Sequence, residues 1–258
     1  MPAHTASARP GRKAFGGAAT AATAVTAAAG LLLVGCSLPG GTSRSLTADA
    51  TVTEAVTAVE VTDARSGSIE VTPGAGPGVR VHRTVHYRGD ATPEPGQRVS
   101  DGVLTFTAGC ADSCRVDYRL EVPASAKVRL DNSSGRITVA GVAAAEVTSG
   151  SGDVRAERIT GPLRIRTASG DIEATALRAP DAEIRSASGD ATVGFAAPPA
   201  SLSVTTTSGD VRARLPGGPY EVTASTTSGD RDVTLASTPA APSRLSFRTT
   251  SGDLHVSG

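Results

Sequence analysis

The chain has 258 residues, and its 25 Lys+Arg balance its 25 Asp+Glu. Zero net charge, with three Tyr, four Phe and no Trp, argues against a nucleic-acid binder, which needs a basic surface and rings that stack on bases. Three Cys and four His leave little for a zinc or haem site, so no metal or other cofactor is expected.

Residues 1–15 hold Arg9, Arg12 and Lys13 and no acid, and residues 16–35 are small or apolar, closing on Leu31-Leu32-Leu33-Val34-Gly35. A basic region followed by an apolar one is the pattern of a secretory signal. The run is Ala/Gly/Thr-rich, whereas a spanning helix wants about 20 strongly apolar residues. Leu33-Val34-Gly35-Cys36 resembles a bacterial lipobox, in which small residues admit the peptidase and the Cys thiol takes a diacylglyceryl group. Residues 1–35 are therefore expected to be a lipoprotein signal peptide, and Cys36 the lipidated residue on the outer face of a bacterial membrane. Two or more acyl chains anchor stably where one does not. Removing residues 1–35 takes away three basic residues and no acid, leaving 22 basic and 25 acidic residues. Lipid, rather than charge, is the expected anchor. Residues 36–56 read as the lipidated Cys and a flexible tether, of which 37–50 would span roughly 20 Å.

The body of the chain repeats. Ser-Gly-Asp occurs at Ser151, Ser169, Ser188, Ser208, Ser228 and Ser251, preceded by the variant Ser134-Gly135-Arg136 and a fainter Ser66-Gly67-Ser68. Counting each repeat's Ser as zero, positions −6 and −4 are apolar (Val128 and Leu130, Leu163 and Ile165, Leu245 and Phe247), as are +3 and +5 (Ile137 and Val139, Val154 and Ala156, Leu254 and Val256). Alternation at period two is the strand signature. Its parity flips across Ser-Gly-Asp, so the chain turns a corner there, with Gly supplying backbone freedom. Arg231 alone breaks the apolar pattern at +3, which predicts a local distortion near Asp230-Arg231-Asp232. The outward columns Arg129, Glu146, Arg164, Glu183 at −5, and Arg155 beside Glu173 and Arg212 beside Asp232 at +4, alternate in sign if equivalent strands stack in parallel about 4.8 Å apart. The expectation is an all-β solenoid of about seven stacked coils over residues 123–258 around a narrow Ala/Val interior.

Residues 57–122 alternate as well, at Val59–Val61, Ser68–Val71, Val79–Val81, Leu104–Phe106 and Val116–Leu120, with Pro/Gly turns at 73–78 and 91–96. They read as a degenerate first coil plus hairpins that cap the start of the solenoid. Gly258 follows directly after a strand, which suggests an exposed C-terminal edge open to a partner or to self-association.

With these residues identified, the chain resembles the DUF4097 family of bacterial envelope proteins, whose members are often labelled adhesins. The resemblance rests on the Ser-Gly-Asp-Val/Ile repeats, Tyr118-Arg119-Leu120-Glu121-Val122-Pro123 and Ser66-Gly67-Ser68-Ile69-Glu70-Val71, and spans residues 57–258. It implies a right-handed β-helix-like domain without an established enzymatic activity.

Candidate sites are few. The column Asp153, Asp171, Asp190, Asp210, Asp230 and Asp253 would place carboxylates about 5 Å apart. Two readings are open: turn chemistry, in which Ser and Asp bond local backbone, or a bridging cation such as Ca²⁺. Cys110 and Cys114 read as a disulfide closing a hairpin tip outside the cell, with redox or metal chemistry as the alternative. His82 and His86 lie on a strand pattern where i and i+4 are about 13 Å apart, so a shared metal is not expected. No nucleophile motif accompanies any His. The hydroxyls Ser203, Thr205, Thr207, Thr223, Ser225, Thr227, Ser246 and Thr250 face outward, either as a glycan- or ice-binding grid or as ordinary strand-face residues.

The functional expectation is a non-enzymatic, lipid-anchored envelope protein serving as an adhesin-like or structural scaffold, with an envelope protein or wall polymer as partner. The alternatives are a signalling accessory bound to a membrane partner, and a polysaccharide-active enzyme. The latter gathers acids in a groove, whereas these charges fall in self-pairing columns.

Overall fold

The structure, a computed structural model, describes residues 43–258 except 63 and 111–113. Its elements are strands in two sheets. The first part of the chain supplies β1 (Arg44–Val52), β2 (Ala58–Val61), β3 (Ile69–Gly74), β4 (Val79–Tyr87), β5 (Gly96–Ser100), β6 (Val103–Thr107) and β7 (Arg115–Pro123). The repeats then alternate between sheets. The strand before each corner, ending on the repeat's Ser or two residues short of it, enters one sheet, and the strand after the corner enters the other. These pairs are β8 (Lys127–Asn132) and β9 (Ile137–Ala140), β10 (Ala144–Ser149) and β11 (Val154–Glu157), and β12 (Leu163–Ser169) and β13 (Ile172–Leu177). There follow β14 (Asp181–Ser188) and β15 (Ala191–Phe195), β16 (Ser201–Ser208) and β17 (Val211–Arg214), β18 (Tyr220–Ser228) and β19 (Arg231–Val233), and β20 (Ser243–Ser251) and β21 (Leu254–Ser257).

One sheet runs β1-β4-β7-β3-β9-β11-β13-β15-β17-β21-β19, the other β18-β20-β16-β14-β12-β10-β8-β2-β6-β5. Pairing is parallel except at β1–β4, β4–β7 and β5–β6. The degenerate first coil is β2 and β3, which pair with β8 and β9. The even positions −6 and −4 and the odd positions +3 and +5 all point between the sheets, because the corner re-aims the chain by one residue. Leu163, Ile165, Ile172 and Ala174 are buried in one coil, and Leu202, Val204, Val211 and Ala213 in another. Aromatic rings close the two ends of this narrow core. Phe106 and Tyr118 pack at 5.1 Å between centroids near the start, and Tyr220 and Phe247 are buried near the finish.

Three expectations are corrected. The tether stretch 44–52 is not a flexible linker but strand β1, antiparallel to β4 along nine residue pairs. Leu46, Ala48 and Val52 alternate inward and bury, a pattern of small residues that composition alone reads as linker. Secondly, Arg212 does not lie beside Asp232. His255 stands between them, opposite Arg212 on one side and Asp232 on the other.

The C-terminal edge departs from expectation for the same reason. The last two coils are transposed, so that β20 and β21 insert between β16/β17 and β18/β19. The chain therefore does not finish on an exposed sheet edge; the outermost strands are β18 and β19. The inward residues explain this. The last coil offers Leu245, Phe247, Leu254 and Val256, all buried, whereas its neighbour offers half-buried Val222, Ala224 and Val233, and Arg231. A guanidinium at an inward position between apolar coils, without acceptors of the kind that surround Arg83, carries a large desolvation cost. At the end of the stack it reaches solvent and donates to the Ala224 carbonyl at 3.1 Å. The distortion expected at Arg231 is thus the terminus of the solenoid.

Candidate functional site: the Ser-Gly-Asp corner and the outer faces

Each corner is fastened to the next by its Asp. The backbone N–H of Asp171 donates to Asp153 Oδ1 at 3.3 Å, Asp190 to Asp171 at 2.9 Å, and Asp210 to Asp190 at 2.8 Å. Asp253 then donates to Asp210 at 2.9 Å and Asp230 to Asp253 at 2.9 Å, following the transposed coil order. The carboxylate thus supplies the acceptor that a strand carbonyl would provide if the ladder did not break at the corner. Arg136 lies 3.6 Å from Asp153 Oδ2, and Arg212 lies 2.8 Å from Asp210 Oδ2 and 3.5 Å from Asp190 Oδ2. These contacts run from coil to coil, so the Asp residues do not bond the local backbone that the turn reading assigned to them. Among the described residues, no group of three or more His, Cys, Asp or Glu is placed to hold a metal ion.

A second column holds the corner from inside. Position −2 is Asn132, Ser149, Thr167, Ser186, Thr206, Thr226 and Thr249. All but Thr226 are buried. Asn132 Nδ2 donates to Gly67 O and Gly135 O, Ser149 Oγ to Gly152 O, Thr206 Oγ1 and Thr249 Oγ1 to Gly209 O, and Thr226 Oγ1 to Gly252 O. Thr167 Oγ1 and Ser186 Oγ are buried without a hydrogen-bond partner. The signal was in the sequence, as a small polar residue two before every repeat Ser. The Gly between has its own reason. At Gly209, φ is +146° and a Cβ would lie 2.2 Å from the Gly189 carbonyl oxygen, so coils stack this closely only through Gly.

The extension β1-β4-β7 carries the His residues. His82 and His86 do not share a ligand. His82 Nδ1 lies 2.6 Å from Asp49 Oδ1 on β1, and His86 Nε2 lies 2.8 Å from Asp117 Oδ2 on β7. Asp117 Oδ1 also accepts the Ser68 N–H at 2.7 Å and the Ser68 hydroxyl at 3.0 Å. Partial burial pushes the Asp117 carboxyl up, but the Ser68 N–H, the His86 ring and the Ser68 hydroxyl outweigh it and hold it below the usual carboxylate range. Ser68 bonds the carboxylate rather than the imidazole, so this is not a nucleophile–base pair. Inward on β4, Arg83 is buried and donates to Gly96 O, Pro95 O and Gln97 Oε1, tying the β5–β6 hairpin to the opposite sheet. Neither the His–Asp pairs nor this arginine was found from sequence, because antiparallel register decides them. Cys110 and Cys114 are joined by a disulfide, but not at a hairpin tip: it lies where the chain passes from β6 in one sheet to β7 in the other. Cys36 lies outside the described residues.

The outer faces carry partial charge ladders. Arg155 Nε donates to Glu173 Oε2 at 2.9 Å across β11–β13, as the column pattern implied. Arg129 instead turns to Asp131 on its own strand, at 3.4 Å, leaving Glu146. Glu183 is shared by Arg164 at 3.5 Å, Arg166 at 3.4 Å and Arg185 at 2.7 Å. Two open concavities, about 310 and 370 Å³, lie over Asp210, Arg212, Asp230, Asp232, Asp253 and His255, and over Ser68, Glu70, His82, His86, Asp117 and Arg119.

The family model described as Toastrack DUF4097 matches residues 57–257, the span that holds both sheets apart from β1. This chain belongs to the Toastrack DUF4097 family. No curated protein matches the chain. The crystal structure of a candidate adhesin from Bacteroides fragilis aligns with a TM-score of 0.50 and 12% identity, covering 83% of this chain and 97% of that one. One from Parabacteroides distasonis aligns with a TM-score of 0.38 and 14% identity, covering 83% and 98%. The first of these shares the fold of this Toastrack chain, with its stacked parallel strands and no helix among the described residues.

Proposed function

We propose that this Toastrack chain is a non-enzymatic, adhesin-like interaction scaffold, displayed on the outer face of the membrane through lipid on Cys36. The observation that carries this reading is how the polar groups of the repeat are spent. The Asp column fastens coil to coil, and the hydroxyl column fastens each corner from inside. What remains is a rigid support with long polar faces, which suits binding by surface rather than reaction in a pocket. The name of the Bacteroides fragilis relative agrees with an adhesive role.

The reach of the anchor favours a near partner. Strand β1 starts at Arg44, so seven residues, 37–43, separate it from Cys36. Fully extended they span at most about 25 Å. Envelope components close to the membrane, protein or wall polymer, are the partners such a leash permits.

The test compares cells carrying the tagged chain with cells carrying Cys36→Ala. Lipid labelling and membrane fractionation report the anchor, and crosslinking with mass spectrometry reports partners. Retention of the label and membrane fraction by C36A sinks the anchor. Turnover of wall or extracellular glycans by the purified chain, lost on mutating a localised acid cluster, sinks the non-enzymatic reading.

A further inference from the structure

We propose that the outer face of the second sheet, from β12 to β18, is a docking surface for a linear polyanion, engaged by Arg185 and Arg248 with the hydroxyl rows around them; this rests on the interaction-scaffold reading above. The strands of that face stand in the order β12-β14-β16-β20-β18. Together they carry five arginines, Arg164, Arg166, Arg185, Arg244 and Arg248, and three carboxylates, Asp181, Glu183 and Glu221. No charged residue of these strands is buried, so the surplus of two positive charges is displayed.

The charge is also placed at a cost to the fold. Arg166 stands directly opposite Arg185 in the parallel register. Like charges opposite one another in a sheet destabilise it. The single carboxylate of Glu183 serves Arg164, Arg166 and Arg185 together, so the cluster is left undercompensated. Two strands further on, Arg248 is exposed and, among the described residues, has neither an ion pair nor a hydrogen bond. Arg185, Thr205 and Arg248 are cross-strand neighbours in one row, so the two arginines are rooted about 10 Å apart on the backbone with a threonine between them. Ser203 and Ser246 flank that row on one side, and Thr207 and Thr250 lie on the other.

Guanidinium groups recognise oxyanions through paired N–H donors. Hydroxyls between them suit the hydroxyl and ether oxygens of a sugar or polyol chain. No tyrosine or tryptophan projects from this outer face, so recognition would run through charge and hydrogen bonds rather than ring stacking. A flat, unwalled surface with recurring cations matches a chain with recurring anions better than a small molecule, which needs a concave site. The acidic concavity over Asp210, Asp230, Asp232 and Asp253 lies on the other sheet, away from this path.

The experiment measures retention of the full chain on immobilised dextran sulfate, sodium polyphosphate and alginate, with neutral dextran and phosphatidylglycerol vesicles as controls. The variants are Arg185→Gln with Arg248→Gln, and, on the opposite face, Arg155→Gln with Arg212→Gln. The expected result is salt-sensitive binding to at least one of the polyanions, weakened tenfold or more in R185Q/R248Q and less than twofold in R155Q/R212Q; the ranking of the three identifies the oxyanion. Equal loss in both double variants, binding to vesicles alone, or no binding to any polyanion overturns the proposal. Crosslinking of the wild-type chain to an envelope partner in that last case would leave the scaffold reading standing, so the two can fail separately.

Discussion

The backbone N–H of Asp253 donates to Asp210 Oδ1 at 2.9 Å, although an entire coil of sequence, including Asp230, lies between them. That bond shows that the corner contact does not need neighbours in chain order: the Asp210 corner receives Asp253, and the Asp253 corner receives Asp230. It also makes unequal predictions for identical residues. Asp210→Ala leaves the Asp253 N–H without its acceptor and should cost about 1–3 kcal/mol. Asp210→Asn keeps an acceptor oxygen and should lose under about 1 kcal/mol, from the exposed pair with Arg212. Asp230 terminates the ladder and its carboxylate accepts no corner N–H, so Asp230→Ala should fall within about 0.5 kcal/mol of wild type. Urea denaturation of the three variants checks the ranking; equal losses at 210 and 230 would refute the ladder.

The stacking distance gives a second contrast. Gly209→Ala forces a Cβ to 2.2 Å from a carbonyl oxygen at φ +146°, and should destabilise by more than about 3 kcal/mol or prevent folding. Gly217→Ala meets nothing within 4 Å and should leave the melting temperature nearly unchanged. Paired thermal melts followed by circular dichroism decide this.

The buried hydroxyl column separates satisfied from unsatisfied members. Thr206→Val removes a donor to Gly209 O and should cost about 1 kcal/mol. Thr167 Oγ1 has no partner, so Thr167→Val should be neutral or stabilising. A loss at 167 as large as that at 206 would show that its hydroxyl is in use.

Much of this fold could be read from the sequence, and the reason is physical. Leu163, Ile165, Ile172 and Ala174 alternate because a two-sheet core needs period two, and the Ser-Gly-Asp corners recur because each coil must turn. The transposition was not legible, because every coil offers its neighbours the same register; only the burial demanded by Phe247 and refused by Arg231 sorts them. Strand β1 was hidden by its Ser, Thr and Ala content. The pairs His82–Asp49 and His86–Asp117 join residues 33 and 31 apart, and follow from antiparallel pairings that no local pattern encodes.

Asp117 makes stability pH-dependent in a definite direction. Its folded carboxyl titrates below the ordinary value of 3.8, so its contribution is complete above that value and is lost as pH falls through the folded one. Asp117→Asn should therefore lower the urea midpoint at pH 7, and the gap from wild type should narrow at pH 3. A gap that stays constant between the two would exclude the carboxylate as its source.

At the far end, Arg231 and the segment after β19 cover the outermost edge. Ser237 Oγ accepts the Val222 N–H at 3.0 Å, and the Thr238 N–H donates to Tyr220 O at 2.7 Å. Arg231→Val should change stability by under about 0.5 kcal/mol, yet uncover the Ala224 carbonyl. Sedimentation velocity should then detect greater concentration-dependent association than wild type. Identical sedimentation would show that Arg231 does not guard the edge.

The transposed coils bear on how the chain is assembled as it is delivered. Residues 220–233 emerge before residues 243–257, yet their final seat lies beyond them. A chain emerging from its N-terminus can first lay Tyr220–Val233 against β16 and β17, a seat that must be vacated or left open for the last two strands. A polypeptide cut short before Ser243 would lose its most apolar closing layer while keeping the coil least suited to take its place.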